Sequence, residues 1–90
     1  MNVFAGDIVF ATAGRDKDKP FVVLKADSQF VWLADGRRRR VEKPKKKKLM
    51  HIKHSMQSSE SLRQTLKSGA VVTNPAIRKA LAEQIKNHDA

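Results

Sequence analysis

The chain has 90 residues, of which 40% are hydrophobic and 31% charged, and its formal net charge is +10. This length allows one small domain with a modest core, and the apolar content is too high for a wholly disordered chain. Cysteine is absent, which excludes disulfides and thiolate chemistry, and no signal peptide or apolar membrane span is recognisable, so we expect a cytoplasmic protein.

Three short segments near the start of the chain have the composition of β-strands. They are residues 7–12, 20–26 and 29–35, rich in β-branched and aromatic residues and bounded by Gly, Asp and Pro. Asp35 and Gly36 then suit the positive φ angles of a tight hairpin turn. We therefore predict a fourth strand over residues 37–43, ended by a proline that cannot donate to a ladder, and a fifth over 48–52.

Five short strands with tight turns within residues 7–53 favour a mainly β domain, a small closed or nearly closed barrel over residues 1–54. Residues 55–60 have the composition of a linker, and residues 61–90 contain two short helical patterns. Gly69 is expected to end the first helix, after Leu62 and Leu66.

The second helical pattern has clearer boundaries. Asn74 can cap this helix, and Pro75 fits its first position. One apolar stripe runs along it, formed by Ile77, Leu81 and Ile85. Because neither helix is long enough to be stable alone in water, this stripe must pack on the barrel or on a partner.

The positive charge is concentrated in residues 1–54, which hold 14 Lys and Arg against 6 Asp and Glu. Such a field attracts polyanions, with RNA as the first candidate and an anionic membrane surface as the main competitor. Its densest part is "RRRRVEKPKKKK", residues 37–48, where the predicted fold puts the arginines on a strand and the lysines on a mobile loop. Losing the arginines should then disturb RNA placement, whereas losing the lysines should chiefly weaken affinity.

The candidate RNA-binding residues are the cations of the two basic loops and of the strand between them, together with one aromatic residue. The alternative interpretation of a basic run is a solvated surface, or a charged sheet edge that hinders pairing with another chain. The candidates are Arg15, Lys17, Lys19, Trp32, Arg37, Arg38, Arg39, Arg40, Lys43, Lys45, Lys46, Lys47, Lys48, His51 and Lys53.

Trp32 has two possible roles. If Val31 and Leu33 point into the barrel, strand alternation places Phe30 and Trp32 on the opposite face. An outward Trp beside cations can stack an RNA base. The alternative, which we favour, is that the C-terminal helix covers Trp32, because the apolar stripe of that helix needs a partner surface.

The segment "GDIVFATAGRDKDKPFVVLKAD", residues 6–27, resembles the KOW motif of ribosomal proteins and NusG-type elongation factors. Together, "AGRDKDKPFVV" and "ADGRRRRVEKPKKKKLMHI" are similar to small bacterial KOW-domain RNA-binding proteins, related to KOW modules of archaeal and eukaryotic large-subunit ribosomal proteins. The resemblance covers roughly residues 3–54 and implies an SH3-like barrel that contacts RNA through its loops and one face. One departure is Asp18, where the family usually has glycine. Asp tolerates positive φ, but its charge is unfavourable beside phosphate.

No catalytic, cofactor or metal site is expected. The carboxylates fall mostly at turns, where Asp7 and Asp16 are interpreted as turn formers, with Asp16 able to pair with a basic neighbour that orders its loop. His51 and His54 lack partners at metal-binding spacing. We therefore expect a non-catalytic protein that binds ribosomal RNA on the large subunit, as a ribosome-associated or assembly factor. The alternatives are a protein-docking module of the transcription or translation machinery, acting through the C-terminal stripe, and a duplex-DNA binder.

Overall fold

The structure, a computed structural model, describes the backbone of residues 2–89 and the side chains of residues 2–84. One antiparallel sheet has the strand order β4-β3-β2-β1-β5, and two helices follow it in the chain. The expected mainly β character is confirmed. The edge strands β4 and β5 do not pair with each other in the described residues, so the sheet is open. The elements are β1 Asp7–Ala11, β2 Pro20–Ala26, β3 Phe30–Ala34, β4 Lys45–Lys48, a 3-10 turn Leu49–His51, β5 Ile52–Ser58, α1 Glu60–Ser68 and α2 Asn74–Asp89.

Both faces of the sheet carry a hydrophobic core, because alternate residues of β1 and β2 point to opposite sides. The inner core contains no helix residue and consists of Val3, Val9, Ala11, Phe21, Val23, Val31, Leu33 and Ile52. On the other face, α1 and α2 cover the sheet, and this second core consists of Ile8, Val22, Leu62, Val72, Ile77, Ala80 and Leu81.

The apolar stripe of α2 therefore packs on the sheet. Ile77 is fully buried and Leu81 is 7% exposed, so neither side chain is available to a protein partner, and that part of the docking alternative is wrong. The side chain of Ile85 lies outside the described residues.

Asp7 attaches α1 to the sheet. Its carboxylate is buried and accepts hydrogen bonds from the Phe4 backbone N–H at 2.8 Å, from His54 Nε2 at 2.9 Å and from Arg63. The other ring nitrogen, Nδ1 of His54, accepts the Met56 N–H at 2.8 Å, which assigns the hydrogen to Nε2. Asp7 closes the turn after Phe4, as the sequence predicted, because its own N–H donates to the Phe4 carbonyl at 3.0 Å. The same carboxylate is also a buried anchor between β1, β5 and α1.

The predicted strand over residues 37–43 is wrong, because these residues belong to a loop. Asp35 holds that loop: its Oδ1 accepts the backbone N–H groups of Arg37 and Arg39, both at 2.9 Å. The N–H groups of Asp35 and Gly36 in turn donate to the Arg39 carbonyl, at 2.8 and 3.1 Å. A local side-chain acceptor thus uses the donors that a strand ladder would have needed.

The lysine run forms β4, where a mobile loop was expected. Lys45, Lys46, Lys47 and Lys48 pair in register with residues 33 down to 30 of β3. The sequence prediction placed Pro44 at the end of a strand, but the proline comes directly before one. A proline at this position removes no ladder hydrogen bond, so both interpretations satisfied the same rule.

The chain after β4 also differs from the prediction. Residues 49–51 form the 3-10 turn, and residues 55–58, expected as linker, are the second half of β5. Ser59 caps α1 by accepting the Leu62 N–H at 3.2 Å, and Gly69 ends the helix at φ +78°, as predicted. At the start of α2 the Thr73 hydroxyl accepts the Ala76 N–H at 3.3 Å and the Thr73 carbonyl accepts the Ile77 N–H at 3.1 Å, so Thr73 takes the capping role expected of Asn74. No helix in the described part of the chain is long and apolar enough to cross a membrane.

Candidate nucleic-acid interface

Two basic loops are fastened together at one end of the sheet. They are residues 12–19, between β1 and β2, and residues 35–44, between β3 and β4. Arg39 donates from Nη2 and Nε to Asp16 Oδ2, at 3.0 and 3.2 Å, and only 9% of the Asp16 side chain is exposed. Lys47 adds a second tie by donating from Nζ to the Ala13 carbonyl at 2.9 Å. We call these joined loops the two-loop surface.

The first loop has the conformation that its sequence suggested. Asp18 has φ +69°, so this residue takes the left-handed conformation that glycine would adopt without strain. Its N–H donates to the Ala11 carbonyl at 2.7 Å, which closes the loop onto the end of β1. The expected pairing of Asp16 with a basic neighbour is also confirmed, although its partner, Arg39, comes from the other loop.

Six cations of the two-loop surface make no ion pair or side-chain hydrogen bond within the described residues. All are exposed except Lys19, which is partly buried. Their charges are available to a polyanion, whereas Arg39 is committed to Asp16, and Arg40 lies 3.4 Å from Glu42 in an exposed pair. The six are Arg15, Lys17, Lys19, Arg37, Arg38 and Lys43.

Asn74 fastens the second loop to α2. Its buried side chain accepts the Val41 N–H at 2.8 Å and donates to Glu42 Oε1 at 2.8 Å. The hydrogen bond from Asn74 is the main cause that lowers the pKa of the Glu42 carboxyl below its usual value, and the charge of Arg40 adds to it. The loop is therefore held from both sides, by Asp16 and by Asn74.

Gly36 allows the turn to sit directly on the start of α2. Its φ is +79°, and a Cβ there would lie 2.5 Å from the Asn74 carbonyl oxygen and 2.8 Å from Arg78 Cγ. Arg78 Nη1 donates to the Gly36 carbonyl at 2.7 Å. Sequence reasoning missed Arg78, because its place in the site depends on how α2 packs against this turn.

A cleft of about 280 Å³ lies between the two loops and α2. Three cations from three different elements line it: Lys19, Arg37 and Arg78. Asp35 also lines the cleft, but its Oδ1 is occupied by two backbone N–H groups. The convergence of three positive groups makes the cleft suited to an anionic group such as phosphate.

A row of lysines and aromatic rings crosses β2, β3 and β4. Trp32 is paired in register with Lys25 on one side and Lys46 on the other. The Nζ atoms of Lys25 and Lys46 lie 4.8 and 5.5 Å from the Trp32 ring centroid, and Lys46 Nζ lies 4.3 Å from that of Phe30. These are cation–π distances. We call these residues, with Lys48, the lysine–aromatic strip.

Trp32 is partly buried, but not in the way that the sequence favoured. The core beneath the helices, in the part of the chain whose side chains are described, contains Ile8 and Val22 and does not include Trp32. The apolar stripe of α2 packs against β1 and β2, whereas Trp32 lies between lysines of the neighbouring strands. The β2–β3 register shifts between Val23 and Lys25, and this irregularity brings Lys25 beside Trp32. Strict alternation from the buried Val23 would have placed Lys25 on the inner face, so the sequence pattern did not identify it.

The remaining candidates lie towards β5. His51 is in the 3-10 turn, and its carbonyl accepts the Thr12 N–H at 2.9 Å, at the start of the first basic loop. Lys53 is exposed on β5 and pairs with Phe10 of β1. Within the described residues no group of three or more His, Cys, Asp or Glu side chains is arranged to hold a metal ion. No protein-family model matches the chain, and no curated protein is significantly similar to it.

Proposed function

We propose that this protein is a non-catalytic RNA-binding protein of the KOW type, built on a small SH3-like barrel. Its partner in this proposal is ribosomal RNA of the large subunit, which it binds in the cytoplasm as a ribosome-associated or assembly factor. The observation that carries the proposal is the two-loop surface. Six cations that have no side-chain partner among the described residues lie on loops that Arg39–Asp16 and Asn74 hold in fixed positions.

Two features support the barrel. The inner core takes residues from β1, β2, β3 and β5 and from the segment before β1, as expected of a sheet that curls around its own hydrophobic face. Lys47 on the edge strand β4 also reaches the loop that follows β1, although two strands, β3 and β2, separate β4 from β1 in the sheet. A strongly coiled sheet brings such segments together.

The lysines of β4 are weaker support for RNA binding. β4 is an edge strand, and lysine on an edge also hinders pairing with another chain. The positions of the loop arginines have no such alternative reason, because residues 35–44 form no ladder. For this reason the first experiment changes loop arginines rather than strand lysines.

The test is RNA binding measured by fluorescence anisotropy over a range of salt concentrations. We compare the wild type with a double Arg37→Ala/Arg38→Ala variant. The matched control is Lys67→Ala/Lys79→Ala, which removes the same charge from exposed positions on α1 and α2. Each phosphate contact contributes about 0.7 to 0.9 to the slope of log affinity against log salt.

If both arginines contact phosphate, the slope of log affinity against log salt should be shallower by about 1.4 to 1.8 in the loop variant. Its affinity at about 0.1 M salt should be roughly 25- to 60-fold lower than that of the wild type. The control should change little. Equal losses in the two variants would mean that net charge alone is responsible, and the interface would be wrong. Sedimentation with ribosomal subunits in a sucrose gradient tests the ribosomal part: a protein that stays at the top at low and high salt contradicts it.

A further inference from the structure

A second cleft, of about 570 Å³, lies beside the lysine–aromatic strip and outside the two-loop surface. Its lining comes from the β2–β3 turn, the 3-10 turn after β4 and the strand residues next to these two turns. Most of the lining is apolar, and the Met50 side chain is 77% exposed, so it is accessible to a ligand. The lining residues are Ser28, Gln29, Phe30, Lys48, Leu49 and Met50.

The two walls of this cleft are tied together. The Leu49 N–H donates to the Gln29 carbonyl at 2.8 Å, which joins the 3-10 turn to the β2–β3 turn. Asp27 Oδ1 accepts the N–H groups of Gln29 and Phe30, at 2.8 and 2.7 Å, and so fixes the conformation of the β2–β3 turn. A ligand would therefore meet a largely preformed cleft.

The groups around the cleft match the parts of one nucleotide. A base has two apolar faces, and Phe30, Leu49 and Met50 provide a ring and flexible apolar side chains to contact them. A base also has a polar edge, and the side chains of Ser28 and Gln29 make no hydrogen bond within the described residues, so they have donors and acceptors to offer.

The phosphate of the same nucleotide would meet lysine. Lys48 lines the cleft, and the ammonium group of Lys46 lies 4.3 Å from the Phe30 ring centroid. A base that stacks on the Phe30 ring displaces this ammonium group from the ring face. The ammonium group then lies beside the phosphate backbone of the bound RNA. An apolar peptide side chain alone would bring no anion to these two lysines.

We propose that this cleft binds an unpaired RNA base, with its phosphate held by Lys46 and Lys48. This inference rests on the proposed function and narrows it, because it names the class of RNA. The bases of a continuous A-form duplex are stacked inside the helix, whereas bulges and loops can expose a base to a protein. The protein then prefers structured RNA that carries an unpaired nucleotide near a helical segment.

The experiment compares two RNAs, a short hairpin with an uninterrupted stem and the same hairpin with one bulged nucleotide. Trp32 is the only tryptophan and the chain has no tyrosine, so intrinsic fluorescence reports on the lysine–aromatic strip. The wild type should bind the bulged RNA more tightly, by about 5- to 150-fold for one stacked base, and quench Trp32. Phe30→Leu should abolish most of this preference.

Because Phe30 is partly buried, an exposed position provides a second variant that does not endanger folding. Met50→Ser should reduce the preference several-fold and leave affinity for the uninterrupted stem unchanged. The control is Met56→Ser on β5, where the methionine is 88% exposed and outside the cleft, and the preference should persist.

Three results overturn the inference: a wild type without preference, a preference that survives both cleft variants, or equal weakening of both RNAs by Met50→Ser. If Met50→Ser instead alters self-association in sedimentation, or binding to anionic vesicles, while the RNA preference remains, the cleft serves another partner and the inference is wrong. If neither RNA binds even at low salt, the proposed function fails together with it. Salt-dependent binding of both RNAs without preference removes the inference alone.

Discussion

The packing of the arginine turn on α2 can be tested with one methyl group. Gly36 and Gly69 have nearly the same backbone conformation, with φ +79° and +78°. A Cβ at Gly36 would lie 2.5 Å from the Asn74 carbonyl oxygen, whereas a Cβ at Gly69 would meet nothing within 4 Å. Gly36→Ala and Gly69→Ala therefore share the cost of a left-handed alanine and differ in the contact.

The magnitudes follow from these two costs. A non-glycine residue in the left-handed region costs about 1–2 kcal/mol, and this applies to both variants. The Arg78 side chain can move away from the new methyl group, but the Asn74 carbonyl belongs to the first turn of α2 and can move only with the helix. Such overpacking adds about 1–3 kcal/mol, so Gly36→Ala should lower the free energy of unfolding by roughly 2–5 kcal/mol.

Urea and thermal denaturation, followed by Trp32 fluorescence and circular dichroism, measure the difference. For a domain of this size about 1 kcal/mol corresponds to roughly 4–8 °C in Tm, so Gly36→Ala should melt at least about 4 °C below Gly69→Ala. Two variants of equal stability would refute the reasoning. They would mean that the turn does not rest on α2, and the contacts of Asn74 and Arg78 with the loop would then have to be abandoned as well.

Three further predictions concern single side chains that lie in the loops or fasten them. Asn74→Ala removes the acceptor of the Val41 N–H and should cost about 1 kcal/mol in urea denaturation, while RNA affinity falls without a change in salt slope. Asp18→Gly keeps the φ of +69° accessible and removes a negative charge, so RNA should bind more tightly with no loss of Tm. Asp18→Asn removes the same charge without introducing glycine, and so separates the effect of charge from that of conformation. Hydrogen bonds from the Gln29 and Phe30 N–H groups lower the pKa of Asp27 below 3.8, so its stabilising contribution is present above that pH and is lost as pH falls through the folded pKa. Asp27→Asn should flatten the decline of Tm as the pH falls below 3.8 through the folded pKa of Asp27, and an unchanged decline would contradict this assignment.

The first three strands were predictable because their patterns are local. β1, β2 and β3 alternate between two apolar faces, and their observed bounds differ from the predicted ones by no more than one residue at each end. The helical stripe was also recognisable, and burial of Ile77 decides between the barrel and a partner in favour of the sheet. These elements depend on periodicity, which a sequence displays directly.

The fourth strand was not predictable in the same way. Four consecutive lysines have poor β-propensity, and the partners that accommodate them come from elsewhere in the chain. Lys46 lies over the rings of Trp32 and Phe30, and Lys47 donates to the Ala13 carbonyl. Residues 55–58 were mistaken for a linker for a related reason: in β5, an edge strand with one face exposed, Ile52 is the one buried residue.

The division of labour between arginines and lysines changes accordingly. The sequence suggested that arginines on a strand position RNA and that lysines on a loop supply charge. In the structure each run contains both tied and free residues. Arg39 binds Asp16 of the first loop, and Lys47 on β4 binds the Ala13 carbonyl of the same loop. Arg37, Arg38 and Lys43 have no side-chain partner in the described residues. A cation that already binds a protein carboxylate or carbonyl contributes less to phosphate binding. A cation without such a partner neutralises a phosphate fully and releases the counterions of the RNA. Placement should therefore depend on the tied residues of both runs and affinity on the free ones, so neither run acts as a unit.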